Sequence, residues 1–92
     1  YQLSGNDRNG TVTGNDPTVT IALGDTLNFN VDAPGHPFYL KTQSGTGTAN
    51  QVSGATNQGT ENGTVVWTPS ATGTYYYICS LHGGMVGTII VQ

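Results

Sequence analysis

The chain has 92 residues, a length that fits one domain with a modest hydrophobic core, and its formal charge is −3. Only Arg8 and Lys41 are basic, so the chain has little means of neutralising phosphates, and we expect no binding to nucleic acid. A single cysteine, Cys79, excludes an internal disulfide. No apolar stretch approaches the roughly 20 residues of a membrane-spanning helix, so we expect no membrane span.

The first half of the chain predicts short strands joined by turns. The opening "YQLS" fits an edge strand, and "TVTIALGDTLNFNV" contains two further strands separated by a turn at Gly24 and Asp25. In the second of these strands, Leu27, Phe29 and Val31 alternate with polar residues. A period of two is typical of a strand with one buried face, so these three side chains should face the core.

The second half predicts four more strands, in "FYLKT", "TVVWT", "TYYYIC" and "VGTIIV". Between Thr42 and Glu61 lies a polar, glycine-rich segment that is long for a loop, and such segments are usually functional or mobile. No stretch has the pattern of a helix of normal length. About seven short strands at this spacing predict an all-β sandwich or barrel, with residues 1–92 as a single domain.

Side chains that bind metals are gathered near the C-terminus. The only cysteine, one of two histidines and the only methionine are Cys79, His82 and Met85. Their thiolate, imidazole and thioether form a soft donor set, which selects copper over harder metals. The other histidine, His36, directly precedes the strand "FYLKT". If that strand pairs with the one ending at Cys79, His36 reaches the same end of the sheet. It would then complete a ligand set of two imidazoles and one thiolate, with the thioether as a weak axial ligand.

Each of these residues also has a plainer interpretation. A lone cysteine at a strand end is most often a small buried hydrophobe, a lone methionine usually fills a core, and a histidine beside proline usually lies in a loop. Zinc would need four good ligands, and methionine is a poor one. A Cys–His nucleophile is possible, but no oxyanion loop or orienting carboxylate is evident. The plainer interpretations weaken jointly, because all these scarce residues fall in two short windows.

The stretches "GDTLNFNVDAPGHPFYL" and "YYYICSLHGGM" resemble the metal-binding parts of the cupredoxins, the small blue copper proteins that include plastocyanin and amicyanin. The spacing Cys-x₂-His-x₂-Met is similar to the short loop of amicyanin. The resemblance covers nearly the whole chain and implies a Greek-key β-sandwich of about seven to eight strands. It also implies one type 1 copper ion, with His36, Cys79 and His82 as ligands and Met85 as the axial ligand.

The resemblance further implies a one-electron carrier that cycles between Cu(II) and Cu(I). Because protein side chains would occupy every metal position, we expect no enzymatic activity. A redox protein would dock transiently near His82, and the carrier would be a periplasmic or extracellular monomer. Two alternatives remain open. The chain also resembles cupredoxin-like modules of larger extracellular or virion-surface proteins, and a copper-delivery protein would prefer more exposed ligands.

Some details can be checked against the family pattern. Pro37 stands where plastocyanin and amicyanin usually have an asparagine whose N–H donates to the cysteine sulfur, and proline has no N–H. We therefore expect the N–H of Leu81 to donate to that sulfur. Tyr75 occupies the position of a tyrosine corner, so its hydroxyl should bond to nearby backbone. We expect Tyr77 to point inward with Tyr75, and Ile78 to point outward.

Overall fold

The computed structural model describes all 92 residues and contains eight β-strands and no helix. With no helix present, there is none that could cross a membrane. Numbered in chain order, the strands are β1 (Gln2–Asp7), β2 (Gly10–Asn15), β3 (Val19–Ile21), β4 (Leu27–Asp32), β5 (Phe38–Lys41), β6 (Asn62–Trp67), β7 (Gly73–Cys79) and β8 (Val86–Val91).

The largest sheet has four strands in the order β3-β8-β7-β5, in which β3 and β8 run parallel and the other neighbours antiparallel. Strands β4 and β6 form an antiparallel pair, and β1 and β2 form a hairpin. Side chains of the large sheet and of the β4–β6 pair share one hydrophobic core. The predicted all-β sandwich is therefore confirmed, with eight strands.

Strand β4 has the predicted orientation. Leu27 and Val31 are buried, and Phe29 packs against the same core. Strand β2 was not predicted, because Val12 is its only large apolar residue and gives no alternating pattern. It forms by pairing with β1 across the turn at Arg8 and Asn9.

Strand β7 fills the core with Tyr77, which is fully buried and donates a hydrogen bond from its hydroxyl to the Pro17 carbonyl at 2.5 Å. Burial, with the Asp16 charge second, raises the pKa of Tyr77 above its ordinary value, so the hydroxyl is protonated at neutral pH. The Tyr75 hydroxyl donates to the Ala71 carbonyl at 2.8 Å, which confirms the tyrosine corner. Ile78 points to the outer face of the sheet, as predicted, since it pairs with Tyr39 on that face. It is nevertheless only 1% exposed, which the sequence did not predict.

The glycine-rich stretch, residues 42–61, closes the edge of the large sheet. The Gln58 side-chain amide accepts a hydrogen bond from Leu40 N–H at 2.8 Å and donates one to the Leu40 carbonyl at 2.9 Å, as a neighbouring strand would. Backbone bonds join Phe38 to Gly59 and Thr60. These contacts satisfy polar groups that an open strand edge exposes. Part of the stretch also lies over the outer face of the sheet, the face that Ile78 shares with Lys41.

Candidate metal centre

Pairing of β5 with β7 brings the two histidine-bearing stretches together. Phe38 lies opposite Cys79 in the antiparallel register, so the residues just before β5 meet the residues just after β7. The Ser80 N–H donates to the Pro37 carbonyl at 3.2 Å and extends the pairing by one step. His36, two residues before Phe38, therefore reaches the end of the sheet that carries Cys79, as the sequence predicted.

Three donor atoms converge at this end of the sandwich. Cys79 Sγ lies 3.7 Å from His36 Nδ1 and 3.4 Å from His82 Nδ1, and the two Nδ1 atoms are 3.2 Å apart. The point equidistant from three atoms so arranged lies about 2.0 Å from each, and metal–imidazole bonds in protein zinc sites are about 2.0–2.1 Å long. The triangle therefore has the size that one transition-metal ion requires.

The loop that carries His82, residues 79–85, is closed by backbone hydrogen bonds. Cys79 N–H donates to the Met85 carbonyl at 3.0 Å, and Met85 N–H donates to the His82 carbonyl at 3.1 Å. The first of these bonds holds Met85 beside Cys79, although six residues separate them in sequence. Cys79 is 1% exposed, Met85 is half-buried and His82 is exposed. Of the two histidines in the cluster, His82 is thus the more open to solvent, since His36 is half-buried.

The cysteine sulfur lies close to both imidazoles of the cluster. The hydrogen-bond partners of Cys79 Sγ are the His36 and His82 imidazoles. The predicted bond from the Leu81 N–H to this sulfur stays a prediction. The Leu81 side chain is 65% exposed. Pro37 contributes its carbonyl to Ser80 rather than an N–H to the sulfur.

One local contact and two contacts from distant parts of the chain hold the segment around His36. Its N–H donates to the Ala33 carbonyl at 3.0 Å, and the Glu61 carboxylate accepts a hydrogen bond from Gly35 N–H at 2.6 Å. The Tyr1 hydroxyl donates to the His36 carbonyl at 2.8 Å. Burial first, and the nearby Cys79 thiolate second, raise the pKa of Tyr1 above its ordinary value, which keeps this hydroxyl a donor at neutral pH. Sequence reasoning missed Tyr1, because no local pattern connects residues 35 positions apart.

Replacing Tyr1 with Phe should destabilise the metal-free protein by about 1 kcal/mol, because one hydrogen bond to the His36 segment is lost while the ring packing on Phe38 remains. Urea unfolding of the metal-free protein measures this difference. Tyr76→Phe is the matched control, since the Tyr76 hydroxyl has no hydrogen-bond partner in the protein and should change stability by less than about 0.5 kcal/mol. Equal unfolding free energies for the two variants would contradict a role for Tyr1.

The donor set fits copper better than other metals. A thiolate and two imidazoles with a thioether nearby in the loop are soft donors that suit copper, whereas no carboxylate joins the cluster to attract a hard cation. The sandwich and this cluster together define a small metal-binding β-sandwich. A family model described as copper binding proteins, plastocyanin/azurin family, matches residues 3–92.

The chain therefore belongs to the plastocyanin/azurin family of copper-binding proteins. It is a type 1 copper-binding domain, and copper is its cofactor. A comparison with curated protein sequences finds no match. The resemblance seen in the sequence is thus confirmed at the level of the family.

Proposed function

We propose that the chain is a one-electron carrier in which His36, Cys79 and His82 bind one copper ion and Met85 is the weak axial ligand. One observation carries this proposal: two imidazole Nδ1 atoms and one sulfur from separate stretches lie 3.2–3.7 Å from one another. The backbone bond between Cys79 and Met85 supports the axial assignment, since it keeps Met85, which carries the thioether, beside Cys79.

Copper, when bound, supplies one-electron chemistry between Cu(II) and Cu(I). The chain's own contribution is to hold the donor atoms in one arrangement. Cys79 is fixed by strand pairing with Phe38, and the 79–85 loop is closed on itself by two backbone bonds. Burial of Cys79 keeps water away from the thiolate. Because the donors belong to a hydrogen-bonded frame, little rearrangement should accompany a change of oxidation state, which favours electron transfer. Four protein donors leave no position for a substrate, so we propose no enzymatic activity.

Electrons would enter and leave through His82. His82 is exposed, and its neighbours Leu81, Gly83 and Gly84 are exposed too. An exposed leucine next to small residues offers a flat, weakly apolar surface, which suits brief contact with a redox protein over a small interface. Membership of the family supports a periplasmic or extracellular location, and we propose that the carrier acts as a monomer.

Electron self-exchange tests this function with the protein as its own partner. Leu81→Glu should slow exchange between reduced and oxidised copies at least about tenfold, because two added carboxylates would repel each other when the His82 surfaces approach. NMR line broadening in mixtures of the two oxidation states measures the rate.

Leu23→Glu is the matched control for that measurement. Leu23 is another exposed leucine, 49% accessible, and its N–H bonds to the Gln92 carbonyl. Gln92 follows β8, and the last residue of β8, Val91, lies opposite Gly73 at the end of β7 far from Cys79. Leu23 therefore lies away from the metal centre. Leu23→Glu should leave the exchange rate within about twofold of wild type, since a charge that far from the His82 surface is largely screened at physiological salt. Equal slowing by both substitutions would contradict the His82 route, and undetectable exchange in wild type would contradict the carrier function.

A further inference from the structure

Lys41 is one of the most deeply buried side chains, although it carries a charge. It ends strand β5 and is 2% exposed. The register pairs Lys41 with Tyr76 and Tyr39 with Ile78, so Lys41 shares the outer face of the large sheet with Ile78. No carboxylate pairs with it, because both ion pairs of the protein involve other residues. Since burying an unpaired charge is costly, its surroundings must compensate.

Three backbone carbonyls provide the compensation. Lys41 Nζ donates to the carbonyls of Gly45 at 3.0 Å, Thr46 at 3.3 Å and Gly47 at 3.4 Å. A carbonyl only accepts, so three of them need three N–H donors, which an ammonium group has and a neutral amine lacks. Hydrogen bonds to a charged donor are worth about 1.5–3 kcal/mol each. The lysine therefore holds residues 45–47 on the sheet.

The opposite side of residues 45–47 touches the loop of the metal centre. Gly47 N–H donates to the Ser80 carbonyl at 2.9 Å. The Thr46 methyl carbon lies 3.7 Å from the position that a Cβ on Gly83 would occupy. Ser80 follows Cys79 directly and Gly83 follows His82 directly. A connected path thus runs from the Lys41 ammonium through residues 45–47 to both ends of the Cys79–His82 stretch.

We propose that Lys41 is a positioning residue for the metal centre: its ammonium fixes residues 45–47 against the 79–85 loop, and its positive charge favours the reduced state of bound copper. The second part rests on the proposed ligand set. A Cu(II) ion with one thiolate and two neutral imidazoles has a net charge of about +1, and the Cu(I) form is neutral. A fixed positive charge nearby therefore stabilises the reduced form relative to the oxidised form.

Hydrogen exchange in the metal-free protein tests the positioning role. In Lys41→Met, which removes the donors and the charge but keeps an apolar stem, the Gly47 amide should exchange at least about tenfold faster than in wild type, the loss expected from one or more charged hydrogen bonds. Amides of β7 should change less. Val65→Ala is the matched control, because a cavity in the β6 side of the core lowers global stability and should not open Gly47 selectively.

The reduction potential of the copper-loaded protein tests the role of the charge. Lys41→Met and Lys41→Gln should both have a lower potential than wild type. The expected shift of the reduction equilibrium is on the order of tenfold, the size that Coulomb's law gives for one unit charge acting across on the order of 10 Å at an effective dielectric constant near 20. Val65→Ala should keep the wild-type potential. Lys41→Gln retains two N–H donors, so it should also lose less Gly47 protection than Lys41→Met.

Each part can fail separately. Wild-type protection of Gly47 in Lys41→Met would overturn the positioning role, and wild-type potentials in both variants would overturn the role of the charge. If Lys41→Met does not fold, the hydrogen exchange of Gly47 and the reduction potential are both measured in Lys41→Gln. Failure of the wild-type protein to bind copper would remove the proposed ligand set, whereas the exchange measurement in metal-free protein would still decide the positioning role.

Discussion

Cys79→Ser protein is expected to stay colourless when Cu(II) is added, whereas the wild-type protein should turn intensely blue with one equivalent. The colour of a type 1 site comes from charge transfer between thiolate sulfur and Cu(II), and a serine hydroxyl stays protonated at neutral pH. Copper affinity should fall more than about 100-fold, since loss of a group that only supports a ligand already costs about 10–100-fold. Visible absorption and competition with a copper chelator measure both effects.

The fold should survive this substitution, which separates a lost ligand from a lost structure. Cys79 Sγ has the two imidazoles as hydrogen-bond partners, and serine is nearly isosteric. Met85→Leu is the control within the same loop: it keeps the thiolate, so the blue colour should persist while the reduction potential changes with the axial donor. An intense visible band in Cys79→Ser would show that the sulfur is not a copper ligand.

Gly87→Ala adds one methyl group and should lower the stability of the protein more than the same change at any other glycine. Gly87 lies opposite Tyr77 in the β7–β8 register, and a Cβ built on it would lie 2.0 Å from the Tyr77 ring. The ring cannot move aside easily, because it is fully buried and its hydroxyl bonds to the Pro17 carbonyl. We expect a loss of at least about 3 kcal/mol, the upper part of the usual range for overpacking. For a domain of this size that lowers the melting temperature by about 12–24 °C.

Gly5→Ala is the matched control for the steric argument. Gly5 also lies in a strand, but a Cβ there meets nothing within 4 Å. Its substitution should change the unfolding free energy by less than about 0.5 kcal/mol. A second check combines Gly87→Ala with Tyr77→Leu: the pair should cost less than the sum of the two single changes, because removing the ring removes the clash. Additive losses would contradict direct contact between the two residues.

The Gly87 prediction also concerns the metal centre. Strand β7 ends at Cys79 and β8 begins directly after Met85. The Tyr77 ring occupies the space above Gly87, so this cross-strand packing supports the two strands that lead into and out of the 79–85 loop. Copper binding by Gly87→Ala should therefore weaken together with stability. No feature of the sequence singles out this glycine among fourteen, because the contact depends on a cross-strand partner.

Much of the centre was predictable from residue scarcity and strand pattern. Cys79, His82 and Met85 are close in sequence, so a short loop was bound to bring them near one another. The position of His36 followed on the condition that "FYLKT" pairs with "TYYYIC", and the Phe38–Cys79 register meets that condition. Strand alternation also predicted the inward faces of β4 correctly.

Alternation within a strand does not reveal what covers its other face. Ile78 points outward as predicted, yet it is buried, because residues of the 42–61 stretch are folded over that outer face. The burial of Lys41 on the same face was missed for the same reason. The hydrogen bonds of Gln58 to the edge strand were missed because no local pattern shows which residues close a sheet edge. Polar, glycine-rich sequence has many ways to fold, and only the sheet edge selects one of them.

By itself, then, the sequence determined the class of fold and the chemistry of the donors, because periodicity and residue type are local properties. The tertiary structure alone decided the distances between donors, the support of His36 by Tyr1, and the link from Lys41 to the metal loop. Those features join residues far apart in the chain. Long-range contacts of this kind arise only when the strands have packed, since each depends on the register and the covering of several elements at once.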